Sequence, residues 1–364
     1  YGEAGNVLSD GTYVYVLSST DRAGNSSEFI SDPFVLNNQS TPISLGIDRA
    51  YFSPNGDGRQ DAISFSLGIP VQEGLVEWTA EILDQAGRSW RTLRGLRTVP
   101  EALIIDGKDN EGNYLPEGAY YGRFSVLYEN GNNPAEVSPQ FIIDVSFPEA
   151  VVTADLSLFS PNADGNKDEI TFFQDTTPED LWTGTITTRA GAEIYSTSWR
   201  GIADRKFVWD GYAQNGLLSR NGIYLYTLSS IDKAGNVGES RAAEFEINYG
   251  ETAVVLTRKF DSFSPNSDGE IDIQEFSVSL DVDDGVESYE LRILDERDQV
   301  IRRITDGGKP SETVQWLGVT DTGGRVTDGV YYAEVSILYA NGNRPAARSR
   351  SFVFMQHILS ILPN

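Results

Sequence analysis

Apolar and polar residues alternate with a period of two along several stretches, with aromatics gathered on one face: Tyr13, Tyr15 and Leu17; Phe124, Val126 and Tyr128; Tyr224, Tyr226 and Leu228. That period marks a strand with one face against a core, so these stretches predict half-buried β-strands. A Gly turn stands before each Tyr-rich run, at Asp10-Gly11, Glu117-Gly118, Asn221-Gly222 and Asp328-Gly329, and each reads as the turn of a hairpin. Capped runs of period 3.6 are missing, so helix content is predicted to be small.

Laid over the alternation is a repeat. The string FSPN-x-DG-x-x-D opens at Phe52, Phe159 and Phe263, with spacings of 107 and 104 residues. A period near one hundred is the size of a small β-sandwich and far exceeds that of a solenoid. A second period, of 211 residues, is better preserved. It carries Asp21-Arg22-Ala23-Gly24-Asn25 onto Asp232-Lys233-Ala234-Gly235-Asn236, and Tyr128-Glu129-Asn130-Gly131-Asn132 onto Tyr339-Ala340-Asn341-Gly342-Asn343. Two kinds of repeat therefore alternate, and the pair is the duplicated unit.

Breaks near Thr41-Pro42, Phe147-Pro148 and Tyr249-Gly250 divide the chain into 1–42, 43–148, 149–250 and 251–364. In this alignment Tyr1 falls on Tyr212 and Gly5 on Gly216, so residues 1–42 hold only the last strands of a repeat. About forty residues of β-structure are too few to hold a core alone, which predicts that the missing strands come from the same longer protein or from a neighbouring chain. Short connections between repeats predict a semi-rigid, elongated rod.

Composition narrows the functional classes. With 54 acidic residues against 28 Lys and Arg the net charge is −26, which argues against nucleic acid or anionic lipid as a partner, since phosphate binding needs clustered cations. No run approaches the roughly 18–20 apolar residues that span a membrane, so no membrane insertion is expected of this segment. Cysteine is absent, which removes disulfides, thiolate metal sites and cysteine nucleophiles. His357 is the sole histidine and lies in an apolar terminal run, a poor setting for a general base. Carboxylate pairs at Asp283-Asp284 and Glu179-Asp180 occur once each, in turn-like stretches, and read as solvated loops. Trp209 and Trp316 recur at one motif position and point to core packing, whereas Trp78, Trp90, Trp182 and Trp199 receive no role from sequence.

One constellation carries chemistry. Oxygen-bearing side chains stand at Asn55, Asp57 and Asp61, at Asn162, Asp164 and Asp168, and at Asn266, Asp268 and Asp272, each set with a Gly after its first Asp. Asn-x-Asp-Gly-x-x-Asp is a way to present hard oxygen ligands to Ca²⁺, with the Gly permitting the turn that folds the last carboxylate back. Calcium takes 6–8 oxygens, however, and three side chains fall short of that. The other reading is a set of Asx-turns, in which Asn and Asp accept from the backbone two residues on. Both readings stand at the level of sequence.

Each complete repeat runs from FSPN-x-DG through a strand pair to a Trp/Asp-Gly element (Ile105-Asp106-Gly107, Trp209-Asp210-Gly211, Trp316-Leu317-Gly318) and then to a Gly turn and a Tyr-rich strand. This order resembles the immunoglobulin-like domain of flagellar hook-capping proteins and the related C-terminal domain of gliding-motility-associated proteins, where the domain serves type IX secretion. The resemblance implies tandem immunoglobulin-like β-sandwiches. Here the domain is repeated and internal, which shifts the expectation from a sorting signal to a structural module. The expected function is a non-enzymatic spacer in a bacterial extracytoplasmic protein of the surface, a secreted fraction or an appendage, its partners being neighbouring domains and other subunits of a surface assembly. The alternative is a module that docks a secretion or motility apparatus or a surface ligand.

Overall fold

A computed structural model describes residues 7–250 and 252–356. Among them regular structure is β-strand throughout, with no α-helix. Tyr1, Gly5 and His357 lie outside the described residues. The chain divides into two compact units, Tyr1–Pro148 with Ile231–Gly238, and Glu149–Ser230 with Glu239–Asn364.

The second unit contains the fourth repeat, which shows the architecture whole. A three-stranded sheet has Gln274–Leu280 between Val254–Arg258 and Thr313–Trp316. A larger sheet runs Ser262–Phe263, Phe352–Phe354, Gly329–Tyr339, Val286–Asp295, Val300–Gly307, with Ala346–Arg348 paired onto Gly329–Tyr339. Along Gly329–Tyr339 every second residue is buried: Tyr331, Ala333, Val335, Ile337 and Tyr339. Those side chains meet Phe276, Trp316 and Phe354 in one core. Two sheets, antiparallel apart from the short Ser262–Phe263 strand, close on alternating apolar faces and make a β-sandwich of the immunoglobulin type. The third repeat builds its core in the same way, around Trp182, Trp209 and Tyr226.

In the first unit the second repeat repeats the plan. Ser44–Ile47, Ile63–Gly68 and Ala102–Ile105 form the small sheet, and Gly118–Tyr128 is central in the large one. The described residues before it form two strand pairs, Gly11–Tyr13 with Phe34–Leu36 and Val16–Thr20 with Ser26–Ile30. Tyr15 and Leu17, expected to be half-buried, are 59% and 54% exposed. The alternation is real, but burial needs a second layer, and among the described residues no sheet covers these strands.

The Gly turns also do a different job from the one expected. Glu117-Gly118 does not join a hairpin, because the preceding strand Ala102–Ile105 belongs to the other sheet. It launches the Tyr-rich strand, and the first Tyr ties the turn down. The Tyr120 hydroxyl donates to Pro116 O at 2.8 Å, Tyr224 to Arg220 O at 2.7 Å, Tyr331 to Thr327 O at 2.7 Å and Tyr13 to Ser9 O at 2.7 Å. This is the tyrosine-corner arrangement of immunoglobulin-like sandwiches. Glu179-Asp180 likewise opens the strand Glu179–Thr188 instead of lying in a loop. Trp209 and Trp316 are core residues, each 2% exposed, with indole N–H groups bonded to Tyr212 O and Val319 O at 2.9 Å. Trp78 and Trp182 prove to be buried as well.

Candidate functional site

The Phe of each FSPN string is a strand residue: Phe52, Phe159 and Phe263 lie in two-residue strands parallel to the last strand of their repeat, and their rings are buried. The chain then leaves the sandwich and closes a tight loop. Backbone N–H of Ser53, Ser160 and Ser264 donates to the carbonyl of Gln60, Lys167 and Ile271 at 2.9, 2.8 and 3.1 Å. Inside that ring the Asn and Asp side chains accept from the main chain. Asp168 Oδ1 accepts from Ala163 N and Oδ2 from Gly165 N, both at 2.7 Å; Asn162 Oδ1 accepts from Asp164 N at 3.1 Å and Asp164 Oδ1 from Asn166 N at 2.8 Å.

The other two copies match. Asp61 takes Gly56 N and Gly58 N at 2.7 and 2.8 Å, and Asp272 takes Ser267 N and Gly269 N at 2.8 and 3.0 Å. Asp57 and Asp268 accept from Arg59 N and Glu270 N at 2.7 and 2.8 Å, while Asn55 and Asn266 accept from Asp57 N and Asp268 N at 3.0 Å. Gly58, Gly165 and Gly269 have φ of 85°, 88° and 88°, the left-handed conformation that turns the loop back. The structure thus brings all nine residues together within their own loops as nested Asx-turns. Both oxygens of each last Asp accept from backbone N–H groups of the loop. Among the described residues no three acidic or His side chains converge as a metal-ligand group. Asp268 is held below the ordinary carboxylate range by the Glu270 N–H, with a further contribution from the Asn266 amide.

What sequence reasoning missed is the partner of these loops. In the second unit, Ser160 Oγ and Asn162 Nδ2 both donate to Asn343 Oδ1 at 2.9 Å. Asn343 Nδ2 donates in turn to Gly250 O at 2.7 Å, and Asn341 Nδ2 to Asn248 O at 3.0 Å. Lys167 Nζ reaches Ala340 O at 2.6 Å. The Tyr339–Asn343 turn of one repeat is therefore seated on the FSPN loop of the repeat before it, and the same turn grips the connection between them. Ser160 is fully buried there, and Asn341 and Asn343 are 8% and 6% exposed.

The first unit holds the same arrangement with the other type of turn. Asn55 Nδ2 donates to Asn236 Oδ1 at 3.1 Å, Asn236 Nδ2 to Asp144 O at 3.0 Å, and Gln60 Nε2 to Lys233 O at 3.3 Å. Lys233 Nζ lies 5.7 Å from the Tyr51 ring centroid. Asn132 Nδ2 makes the connection contact alone, to Gln39 O at 2.8 Å. Beside this site Asp144 is pushed above the ordinary carboxylate range, first by desolvation and then by the charges of Asp232 and Glu117. The signal was present in the sequence: these turns are the segments that recur at 211 residues.

Of the carboxylates considered for catalysis, Asp283 forms an ion pair with Lys309 at 2.5 Å.

Residues 262–341 match the FlgD Ig-like domain. The match runs from the short strand that carries Phe263 to Asn341 in the seated turn, so the fourth repeat resembles the FlgD Ig-like domain, and the chain is a tandem array of Ig-like sandwiches. A C5a peptidase of Streptococcus pyogenes serotype M3 is 29% identical, over 30% of this chain and 10% of its own length. The chain spans about a tenth of the length of the curated relatives it matches. Among solved structures, a tetra-tandem repeat in the extending region of a large adhesion protein is 17% identical, with TM-score 0.30, covering 96% of this chain and 83% of that one. A 1.5-MDa bacterial ice-binding adhesin is 15% identical, with TM-score 0.36, covering 88% and 100%.

Proposed function

We propose that this chain is a non-enzymatic spacer of a bacterial extracytoplasmic protein, in which the FSPN loop of the third repeat and the Asn-bearing turn of the fourth form a clamp that sets the angle between those two repeats. The clamp works without a metal: the loop is closed by its own Asx-turns and held by amide hydrogen bonds. The observation that carries the reading is the pair of bonds from Ser160 and Asn162 to Asn343, in a buried setting where an unmade hydrogen bond costs about 1–3 kcal/mol. A clamp of this kind adds a nearest-neighbour coupling term to the stability of an array. The strongly acidic composition suits a long protein that must stay soluble and unattached between its ends.

Calorimetric unfolding tests the proposal. Asn343→Ala should lower the transition of the second unit and resolve it into two, because the third and fourth repeats lose their coupling while both cores remain. An unchanged single transition would count against the clamp. A melting temperature that falls on adding chelator to the parent would replace the metal-free reading with a calcium-bound one at the loops.

A further inference from the structure

We infer that a groove on the outer face of the fourth repeat's large sheet, walled by Glu290, Thr305, Ser336 and Arg344, binds a neutral saccharide. The inference is independent of the clamp. The groove has a volume of about 460 Å³ and lies over the strands Val286–Asp295, Val300–Gly307 and Gly329–Tyr339. That volume falls in the range of small-ligand sites, roughly 300–1,000 Å³.

The 211-residue period shows how the groove opens. Cross-strand pairing sets Ser288 opposite Gly307 and Glu290 opposite Thr305, where the second repeat sets Glu77 opposite Leu96 and Thr79 opposite Arg94. Large side chains are thus cut back, Glu77 to Ser288, Arg94 to Thr305 and Leu96 to Gly307. Thr79 changes the other way, to Glu290, and puts a carboxylate on the wall, while Asn133 becomes Arg344. On the neighbouring strand Ser125 and Leu127 are kept as Ser336 and Leu338.

The chemistry of the wall selects the ligand. Glu290 is held by Arg303 Nε at 3.4 Å, and Asp306 Oδ1 accepts from Gly307 N at 2.8 Å, so both carboxylates are positioned in advance. On this face Arg292, Arg303 and Arg348 each pair with a carboxylate, on Glu334, Glu290 and Asp298. Among the described residues Arg344 has no such partner, and the hydroxyls of Ser288, Thr305 and Ser336 have none either. A ligand must therefore accept from a guanidinium and donate to fixed carboxylates within one small space. Adjacent hydroxyls do both, because each O–H donates and accepts. With Arg303 counted beside Glu290, the carboxylates and guanidiniums cancel, so the groove offers an ion no net charge. An apolar molecule would leave the polar wall unpaired. Leu338 and Tyr289 supply apolar surface for the C–H face of a sugar ring.

Amide-resonance shifts in NMR spectra of the full chain test this, with glucose, galactose, mannose and N-acetylglucosamine as probes. Each is raised to about 10 mM, enough to register a Kd on the order of 1 mM. At least one sugar should give saturable shifts centred on Ser288, Thr305, Ser336 and Arg344. Refilling the groove as in the second repeat, with Thr305→Arg and Gly307→Leu together, should weaken that binding at least about tenfold. Both positions are exposed and a Cβ at Gly307 meets nothing within 4 Å, so the melting temperature should stay at the parent's value. Arg344→Ala should also weaken binding about tenfold through the loss of a charge-assisted contact. Absence of saturable shifts with every one of these sugars would overturn the proposal, as would shifts that survive the refilling.

Discussion

Asn162 and Asn343 stand 181 residues apart in sequence and 2.9 Å apart in space, the side-chain amide of the first donating to the side-chain carbonyl of the second. Asn55 and Asn236 repeat the relationship at the same separation of 181, at 3.1 Å. One device is therefore used in each unit, with turns of two different sequences.

The pairwise strength of this device is open to measurement. In a double-mutant cycle of Ser160→Ala with Asn343→Ala, the two changes should be non-additive by about 0.5–3 kcal/mol. Asn343→Ala alone leaves the buried Ser160 hydroxyl without its partner, whereas Ser160→Ala leaves Asn343 Oδ1 its bond from Asn162, and the double variant removes the Ser160–Asn343 pair. Chemical denaturation followed by tryptophan fluorescence reads the four stabilities, and strict additivity would show that the contact carries no coupling.

Two glycines separate the turn from its seat. Gly131 and Gly342 hold the same place in equivalent turns, with φ of 85° and 98°. A Cβ at Gly131 meets nothing within 4 Å, whereas one at Gly342 would stand 2.7 Å from Asn166 O. Gly131→Ala should cost about 1–2 kcal/mol for the left-handed backbone. Gly342→Ala should cost about 1–3 kcal/mol more, because it also pushes the turn off the loop. Urea midpoints of the two variants compare them directly.

Asp144 predicts an unusual pH dependence. Its folded pKa is raised, so between the unfolded value near 3.8 and the raised value the folded state binds more protons. Stability from this group therefore falls as pH rises through that window. Asp144→Asn should match the parent below pH 3.8, gain on it as pH rises through that window and hold a constant advantage above it, an effect read from urea midpoints across pH 3–7. Asp268 has the opposite sign: its depressed pKa gives stability that is present above the unfolded carboxylate value and lost as pH falls through the folded one.

The loops themselves are expected to be indifferent to calcium. Asp57→Ala, Asp164→Ala and Asp268→Ala combined should lower the melting temperature through lost Asx-turns, and by the same amount in millimolar calcium as in chelator. A calcium-dependent rise in the parent that vanishes in the triple variant would reverse this reading.

The sequence by itself determined the sandwich. Period-two alternation along Gly118–Tyr128 and Gly329–Tyr339 decides which face is buried, the 211-residue period shows the repeats to be of two kinds, and Trp209 and Trp316 announce themselves as core by recurring. Asx-turn chemistry at Asn162, Asp164 and Asp168 was also readable, because it is local and links residues two to six apart. Only the tertiary structure decided what those loops touch. A hydrogen bond from Asn162 to Asn343 leaves no periodic trace in either segment, since one amide contact sets no pattern of apolar spacing. It arises where two sandwiches bring a loop and a turn together. Burial of Tyr15 and Leu17 failed for the related reason that a strand's alternation fixes the face it offers, while a second sheet must be there to cover it.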